Sequence, residues 1–458
     1  MNNIPGPYSV LGPKANMFKF FRRPFTFQRW LYDRYGNIVA LGQGSKPSTV
    51  FAFGPEMNRQ ILTNPDFFEV STAFVRIPRD TVMGDMFYHN LTLMSGQKHR
   101  QHRRLMQPAF QHDQIVRYGQ DMAMFTERLA DQWKGRTEIE LNVEMKKLTQ
   151  RIAVKTLFGV QDENEMDHMG ELIYRLTKSI LLVTLAPVNI PLTPYHRALG
   201  IARQLNEWIR SMIHNKRQHL DSKPDVLAAL IRAHDEDGTA LTDEELVGHT
   251  FSLYVAGHET TANALTWTLF LLIQHPEVYS GVMDELNAVL NGDPPALEQL
   301  GRLPLLDGVI KEGLRLMPPA SIGTRITAAP SELGGYSLPK RTNVFYSQLV
   351  THRLPELYEE PDRFKPQRWE KLKPSAFEFL PFSAGPHMCI GWHFAMQELK
   401  IVLAVLLQRY RYSVVRDARI SPNLMMRPVH GMPMHIGPQG GKFERVPVRG
   451  TIHDLIRF

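Results

Sequence analysis

The chain contains one cysteine, Cys389. It lies in Phe382-Ser-Ala-Gly385-Pro-His387-Met-Cys389-Ile-Gly391, a loop-forming run that delivers the thiol to the start of an amphipathic stretch reaching about Arg411. Unpaired N–H groups and a partial positive charge at a helix N-terminus favour a thiolate over a thiol. Gly385 permits a tight turn and Gly391 lets a flat ligand approach the backbone, so the segment suits a large planar cofactor held on sulfur. A buried structural cysteine is the competing reading.

Three other groupings carry chemistry. Ala256-Gly257-His258-Glu259-Thr260-Thr261 sits in the middle of a long apolar helical pattern, where polar side chains need a reason to be. Glu312 and Arg315 stand at an i, i+3 spacing on one helix face, which alone describes an ordinary solvated ion pair. Lys98-His99-Arg100-Gln-His102-Arg103-Arg104 alone describes a nucleic-acid patch or a solvated helix face, but it has no interleaved aromatic for stacking bases.

Taken together these runs resemble the cytochrome P-450 superfamily. Its cysteine signature is Phe, two residues, Gly, one residue, usually Arg, one residue, Cys, one residue, Gly. The chain matches throughout except that His387 stands in the arginine's place. The resemblance implies that Cys389 is the thiolate ligand of the iron of haem b (iron protoporphyrin IX), in a loop shaped by Phe382 and Gly391. It implies that His99 and Arg103, one helical turn apart and followed by Pro108-Ala109-Phe110, bind haem propionates, together with Arg325 and His387. His352-Arg353 recurs in the family and is a weaker cofactor-side candidate. Glu312 and Arg315, completed by Arg368 of Phe364-Lys-Pro366-Gln-Arg368-Trp369, would form a buried ion network with a structural role. In the helix centre, Thr260 would supply the hydroxyl and Glu259 the relay acid that deliver protons to the reacting oxygen. Gly257 would leave room beside a loosened helix turn. Arg341 departs from the Gly often found after Pro-Lys. The wording Phe379-Leu-Pro-Phe and Ala-Gly-His-Glu-Thr-Thr resembles fatty-acid hydroxylases and their eukaryotic-like relatives more closely than small-terpene hydroxylases.

The elements that must position these groups follow from periodicity. The longest helix is predicted from about Asp243 to His275, opened by the capping-box pair Thr242 and Glu245 and closed by Pro276. Ile38–Leu41 and Thr49–Phe53, separated by a turn-rich run, predict a hairpin, and Tyr336–Leu338 and Asn343–Tyr346 predict further short strands. Pro187, Pro191 and Pro194 interrupt helical spacing and predict an apolar loop. The fold expected is mainly α with a smaller β-rich part, the cytochrome P-450 fold with a long central helix over the haem. One domain is expected over 1–458, with about 438–458 an extension that carries no readable motif.

Composition bounds the rest. With 43% apolar and 22% charged residues, the 458-residue chain is neither disordered nor fibrous. The lone cysteine excludes an internal disulfide and fits a reducing compartment, hence a cytoplasmic location. No secretory signal and no transmembrane segment is evident. A net charge of +7 favours an acidic partner. The resemblance implies a monooxygenase, expected as a monomer, that inserts one oxygen atom from O2 into a small apolar substrate. NAD(P)H would supply electrons indirectly through a separate ferredoxin- or flavodoxin-type donor, for which a basic face near Arg100 and Arg104 is suited; no nucleic acid is expected as partner. A peroxide-driven oxygenase of the same fold and a non-catalytic haem sensor or carrier are the rival readings.

Overall fold

Thr242 and Glu245 start the longest helix, Asp243–Ile273, by exchanging hydrogen bonds. The Glu245 N–H donates to Thr242 Oγ1 at 3.3 Å, and Glu245 Oε2 accepts from the Thr242 N–H at 3.1 Å. Asp243, Glu244 and Glu245 in the first turn oppose the helix dipole. The helix ends ahead of Pro276, which opens the helix Pro276–Leu290. Its 31 residues span about 46 Å at ~1.5 Å each. The structure is a computed structural model that describes residues 3–9, 12–42, 47–71, 77–185, 187–219, 225–235, 237–440 and 445–458. None of the helices among these residues is long and apolar enough to cross a membrane.

The chain divides into two compact units. The first comprises Met1–Glu69, Met122–Lys146 and Thr260–Phe458; the second comprises Val70–Asp121 and Lys147–Glu259. Strands concentrate in the first. Its five-stranded sheet runs in the order Ile38–Ala40, Thr49–Ala52, Asn343–Tyr346, Gly323–Thr327, Phe68–Val70. Ile38–Ala40 and Thr49–Ala52 form the expected antiparallel pair, and residues 43–46 of their turn lie outside the described residues. Thr49–Ala52 also pairs in parallel with Asn343–Tyr346, with Thr49 opposite Asn343. Every residue of Thr49–Ala52 is buried, as parallel pairing requires. The second unit is helical, with Gly96–Met106, Glu163–Leu185 and Pro194–Gln218 among its elements. Between the last two, Val188, Ile190 and Leu192 are exposed, so the proline-broken apolar loop is present; its residue 186 lies outside the described set.

A buried carboxylate ties together several segments of the first unit. Glu312, on the helix Pro304–Leu316, is fully buried and accepts two bonds from Arg315, at 2.8 and 2.9 Å. It also accepts from Arg368 Nε at 3.1 Å, Trp369 Nε1 at 2.9 Å and the Lys365 N–H at 2.9 Å. Burial alone would raise its pKa; the Arg315 charge, reinforced by Arg368 and the Lys365 N–H, holds it below the usual carboxylate range. Arg315 in turn donates to the carbonyls of His352, Pro361 and Arg363 at 2.7 to 3.1 Å.

The last residues of the chain dock against this region. Ile452, Leu455 and Ile456 are buried, the Arg457 N–H donates to the Asp362 carbonyl at 2.9 Å, and the Phe458 ring lies 6.1 Å from Phe270 and 6.0 Å from His275. Ile452, Leu455 and Ile456 of the extension are therefore packed into the first unit. Arg341 has φ +68, a left-handed conformation that favours glycine, which accounts for the family's frequent Gly at that turn.

His352 joins the ion network to the segment that leads to Cys389. Its Nδ1 donates to the Arg315 carbonyl at 3.2 Å and its Nε2 accepts from the Leu380 N–H at 2.9 Å, which fixes a neutral tautomer. Both ring nitrogens are thus occupied by backbone, so His352 is a brace and not a cofactor-side group. Arg353 is likewise turned inward, donating to the carbonyls of Leu349 and Leu316. Burial, with the Arg315 and Arg353 charges, pushes the His352 pKa down to about 3. An unfolded chain protonates histidine near ~6.5 and so binds more protons in acid than the folded one. The contribution is complete above that value and is lost as pH falls toward about 3, at up to about 1.4 kcal/mol per pH unit. In His352→Gln, which can make the same two bonds but does not titrate, urea unfolding midpoints are expected to vary less steeply with pH across this window than in the parent. Equal slopes would show that His352 contributes no acid sensitivity.

Candidate functional site

Cys389 lies on a loop three residues before the helix Trp392–Arg409, so the helix starts slightly later than the sequence reading placed it. The thiol is exposed, which removes the buried structural cysteine as a reading. Backbone bonds define the loop: Ser383 N–H to the Leu380 carbonyl, Met388 N–H to Gly385, and Cys389 N–H to Phe382 at 2.8 Å. Gly385 has φ +69, and a Cβ there would stand 2.2 Å from the Leu62 carbonyl oxygen, so both torsion and space demand glycine. Gly391 has φ −94, which any residue adopts, so its backbone torsion does not demand glycine. Phe382 and His387 are half-buried on the same loop.

Tyr346 connects this loop to Arg325. The Tyr346 hydroxyl bonds Ser383 Oγ at 3.1 Å, and the Arg325 guanidinium lies 5.5 Å from the Tyr346 ring centre. Arg325, buried on the strand Gly323–Thr327, also donates to the Thr324 carbonyl at 2.8 Å. The structure thus brings Arg325, the cysteine loop and the Glu312 network together in the first unit. Tyr346 and Trp369 went unrecognised in the sequence, because an aromatic on an apolar strand or beside a motif carries no distinct spacing.

The long helix shows where its polar centre faces. From Thr261 to Ile273 every residue is buried, whereas Ala256 is exposed and Gly257, His258, Glu259 and Thr260 are half-buried. A Cβ on Gly257 would meet nothing within 4 Å. The centre therefore borders open space. The backbone remains α-helical throughout Asp243–Ile273, so the loosened turn expected at Gly257 is absent; the room comes from the missing side chain. His258 Nδ1 donates to the Tyr254 carbonyl, an ordinary helix back-bond.

His99 and Arg103 lie in the second unit on the helix Gly96–Met106, with His99 buried and Arg103 half-buried. Their helix is tied down by a chain of side chains not foreseen from sequence. The Leu91 N–H donates to His249 Nδ1 at 3.3 Å, so His249 Nε2 carries the proton and donates to His102 Nδ1 at 2.8 Å. His102 Nε2 then donates toward Glu245 Oε1 at 3.3 Å, and Lys98 pairs with the same oxygen at 2.9 Å. Burial, with the neighbouring His102, pushes the His249 pKa down to about 3, and burial lowers that of His102. Arg104 stands 3.6 Å from Asp235. Lys98 and Arg104 of the basic run are thereby each paired with an acid.

The donor set fits a haem: one exposed thiol ahead of a helix, on a loop that excludes a Cβ, with a buried arginine linked to the same loop. Comparison with known proteins agrees. The Cytochrome P450 family profile matches residues 5–436. The chain is 34% identical over 418 residues to "Cyclooctat-9-en-7-ol 5-monooxygenase" of Streptomyces melanosporofaciens, covering 89% of this chain and 88% of that protein. It is 32% identical to "Pentalenene oxygenase" of Streptomyces avermitilis, covering 91% and 92%. Among solved structures, "Retinoic acid bound cyanobacterial CYP120A1" superposes with a TM-score of 0.80 over 95% of this chain and 99% of that one, at 24% identity, a likeness of fold. The chain belongs to the cytochrome P450 family: it is a haem b monooxygenase that inserts oxygen into apolar substrates, with electrons drawn from NAD(P)H through redox partners.

Proposed function

We propose that the enzyme hydroxylates or epoxidises a cyclic alkene or alkenol, with Cys389 holding the haem iron and with Glu259 and Thr260 handling protons. The observation that carries the site is the exposed lone thiol of Cys389, closed by its own backbone bond to Phe382. The substrate class is supported by the printed names of relatives alike over most of their length, and it runs against the terpene-averse, fatty-acid leaning of the Phe379-Leu-Pro-Phe wording. The bound haem supplies the activation of dioxygen.

The chain's own residues supply the rest. Phe382 and Gly391 leave a flat face beside the thiolate. Arg325 and His387 of the first unit would offer charge-assisted bonds to haem propionates, and His99 and Arg103 of the second unit are proposed for the same role. Gly257 leaves space beside the helix centre, the Thr260 hydroxyl hands on a proton, and the half-buried Glu259, open to exchange with water, replaces it. Glu312, Arg315 and Arg368 hold the cysteine loop without touching substrate. The electron donor is of ferredoxin or flavodoxin type, and the enzyme works as a cytoplasmic monomer.

Cys389→Ala is expected to abolish the red-shifted Soret band of the reduced carbon monoxide complex; a retained band would remove Cys389 as ligand. Thr260→Ala is expected to keep substrate binding but to divert more than about half of the NADPH consumed to hydrogen peroxide, since losing proton delivery worth ~10²-fold leaves release of peroxide competitive. Unchanged coupling would remove Thr260 from the proton path, and turnover driven by peroxide but not by reductase would favour the peroxide-dependent reading. Spectral titrations with cyclic terpene alkenes and alkenols should give tighter binding than straight-chain fatty acids of equal carbon number, and the reverse order would overturn the substrate class.

A further inference from the structure

We propose that the helix Pro13–Arg22 and the start of the next helix, Pro24–Tyr35, form a docking face for an anionic lipid bilayer. Large apolar side chains are unevenly exposed. Of the six exposed aromatics among the described residues, four fall between residues 8 and 30: Tyr8 and Phe18 at 68%, Phe21 and Trp30 at 44%. The inward side of the first helix is already satisfied by Asn16 and Phe20, both fully buried, so Phe18 and Phe21 are an additional apolar surface and not the core face turned outward. Lys14, Phe18, Phe21 and Arg22 follow the i, i+4, i+7, i+8 spacing of one helix stripe, with cations at both ends and aromatics between.

The charge agrees. No acid precedes Asp33, while Lys14, Lys19, Arg22, Arg23 and Arg29 do, so the first 32 residues carry +5 of the chain's net +7. Arg29 pairs with Asp362 at 3.0 Å. Among the described residues, Lys14, Lys19, Arg22 and Arg23 have no ion-pair partner, in contrast to Lys98 and Arg104. An exposed stripe of aromatics flanked by unpaired cations matches a bilayer interface, where the rings settle at headgroup depth and the cations meet anionic lipid. An acidic protein surface would answer the charges but leave Phe18 in water. Docking of this kind would place the enzyme where apolar molecules partition.

The full-length holoenzyme is mixed with vesicles of phosphatidylcholine, alone or with about one-third phosphatidylglycerol, and bound protein is measured by co-sedimentation at low and high salt. Binding to the anionic vesicles, weakened by salt and near background on neutral ones, is expected. Phe18→Ser with Phe21→Ser should weaken it tenfold or more, and Lys19→Ser about fivefold, while the carbon monoxide spectrum and the unfolding temperature stay at parental values. Equal binding to neutral and anionic vesicles, or parental binding by the serine double variant, overturns the proposal. So does vesicle binding at background combined with salt-sensitive binding of an acidic ferredoxin that these substitutions abolish, which would assign the face to a protein.

Discussion

An anion buried away from water must find its countercharge and its hydrogen bonds inside the protein, and Glu312 imposes that demand on the whole first unit. Removing a carboxylate from water costs several kcal/mol unless donors surround it. Here the donors are Arg315, Arg368, Trp369 and the Lys365 backbone, drawn from a helix and from a short 3-10 turn, Pro366–Glu370, more than fifty residues downstream. Arg315 passes the constraint on to the carbonyls at 352, 361 and 363, and His352 passes it to Leu380. The cysteine loop begins there. Its geometry is thus anchored by groups that never approach the thiol.

The same logic explains what could be read from the sequence. Thr242 and Glu245 are three residues apart, so their capping box is a local signal and the start of the long helix followed directly. The strands at 38–40, 49–52, 336–338 and 343–346 are equally local in pattern. Motif spacing marked Cys389, Glu312 and Arg315 because the family's order of motifs spans the chain. What escaped is non-local: Trp369 reaches Glu312 across 57 positions, His249 meets His102 across 147, and Tyr346 meets Ser383 across 37. A side chain whose partner is that distant has no period to betray it. The docked tail escaped for a simpler reason: Ile452, Leu455 and Ile456 are too few to show a pattern, though each is buried.

Histidine is used in two contrasting ways that spacing cannot distinguish. His102 and His99 share one helix and one basic run, yet His102 is spent on a hydrogen-bonded chain from Leu91 through His249 to Glu245. Its role is to fasten the helix that carries Arg103 to the first turn of the long helix. His352, beside Arg353 in a run that resembles a cofactor contact, is likewise a cross-brace. In each case the assignment rests on which nitrogen faces a backbone N–H, which only the three-dimensional arrangement reveals.

The parallel pairing of Thr49–Ala52 with Asn343–Tyr346 has a consequence for biosynthesis. The partner of Thr49 leaves the ribosome 294 residues later (343 minus 49). At elongation rates of ~5–20 residues per second this is a wait of roughly 15 to 60 s. During that interval a strand destined to be buried on both faces presents an unpaired, apolar edge, the kind of surface on which nascent chains aggregate. Completion of this sheet therefore depends on the waiting edge being kept from other chains until residues 343–346 emerge.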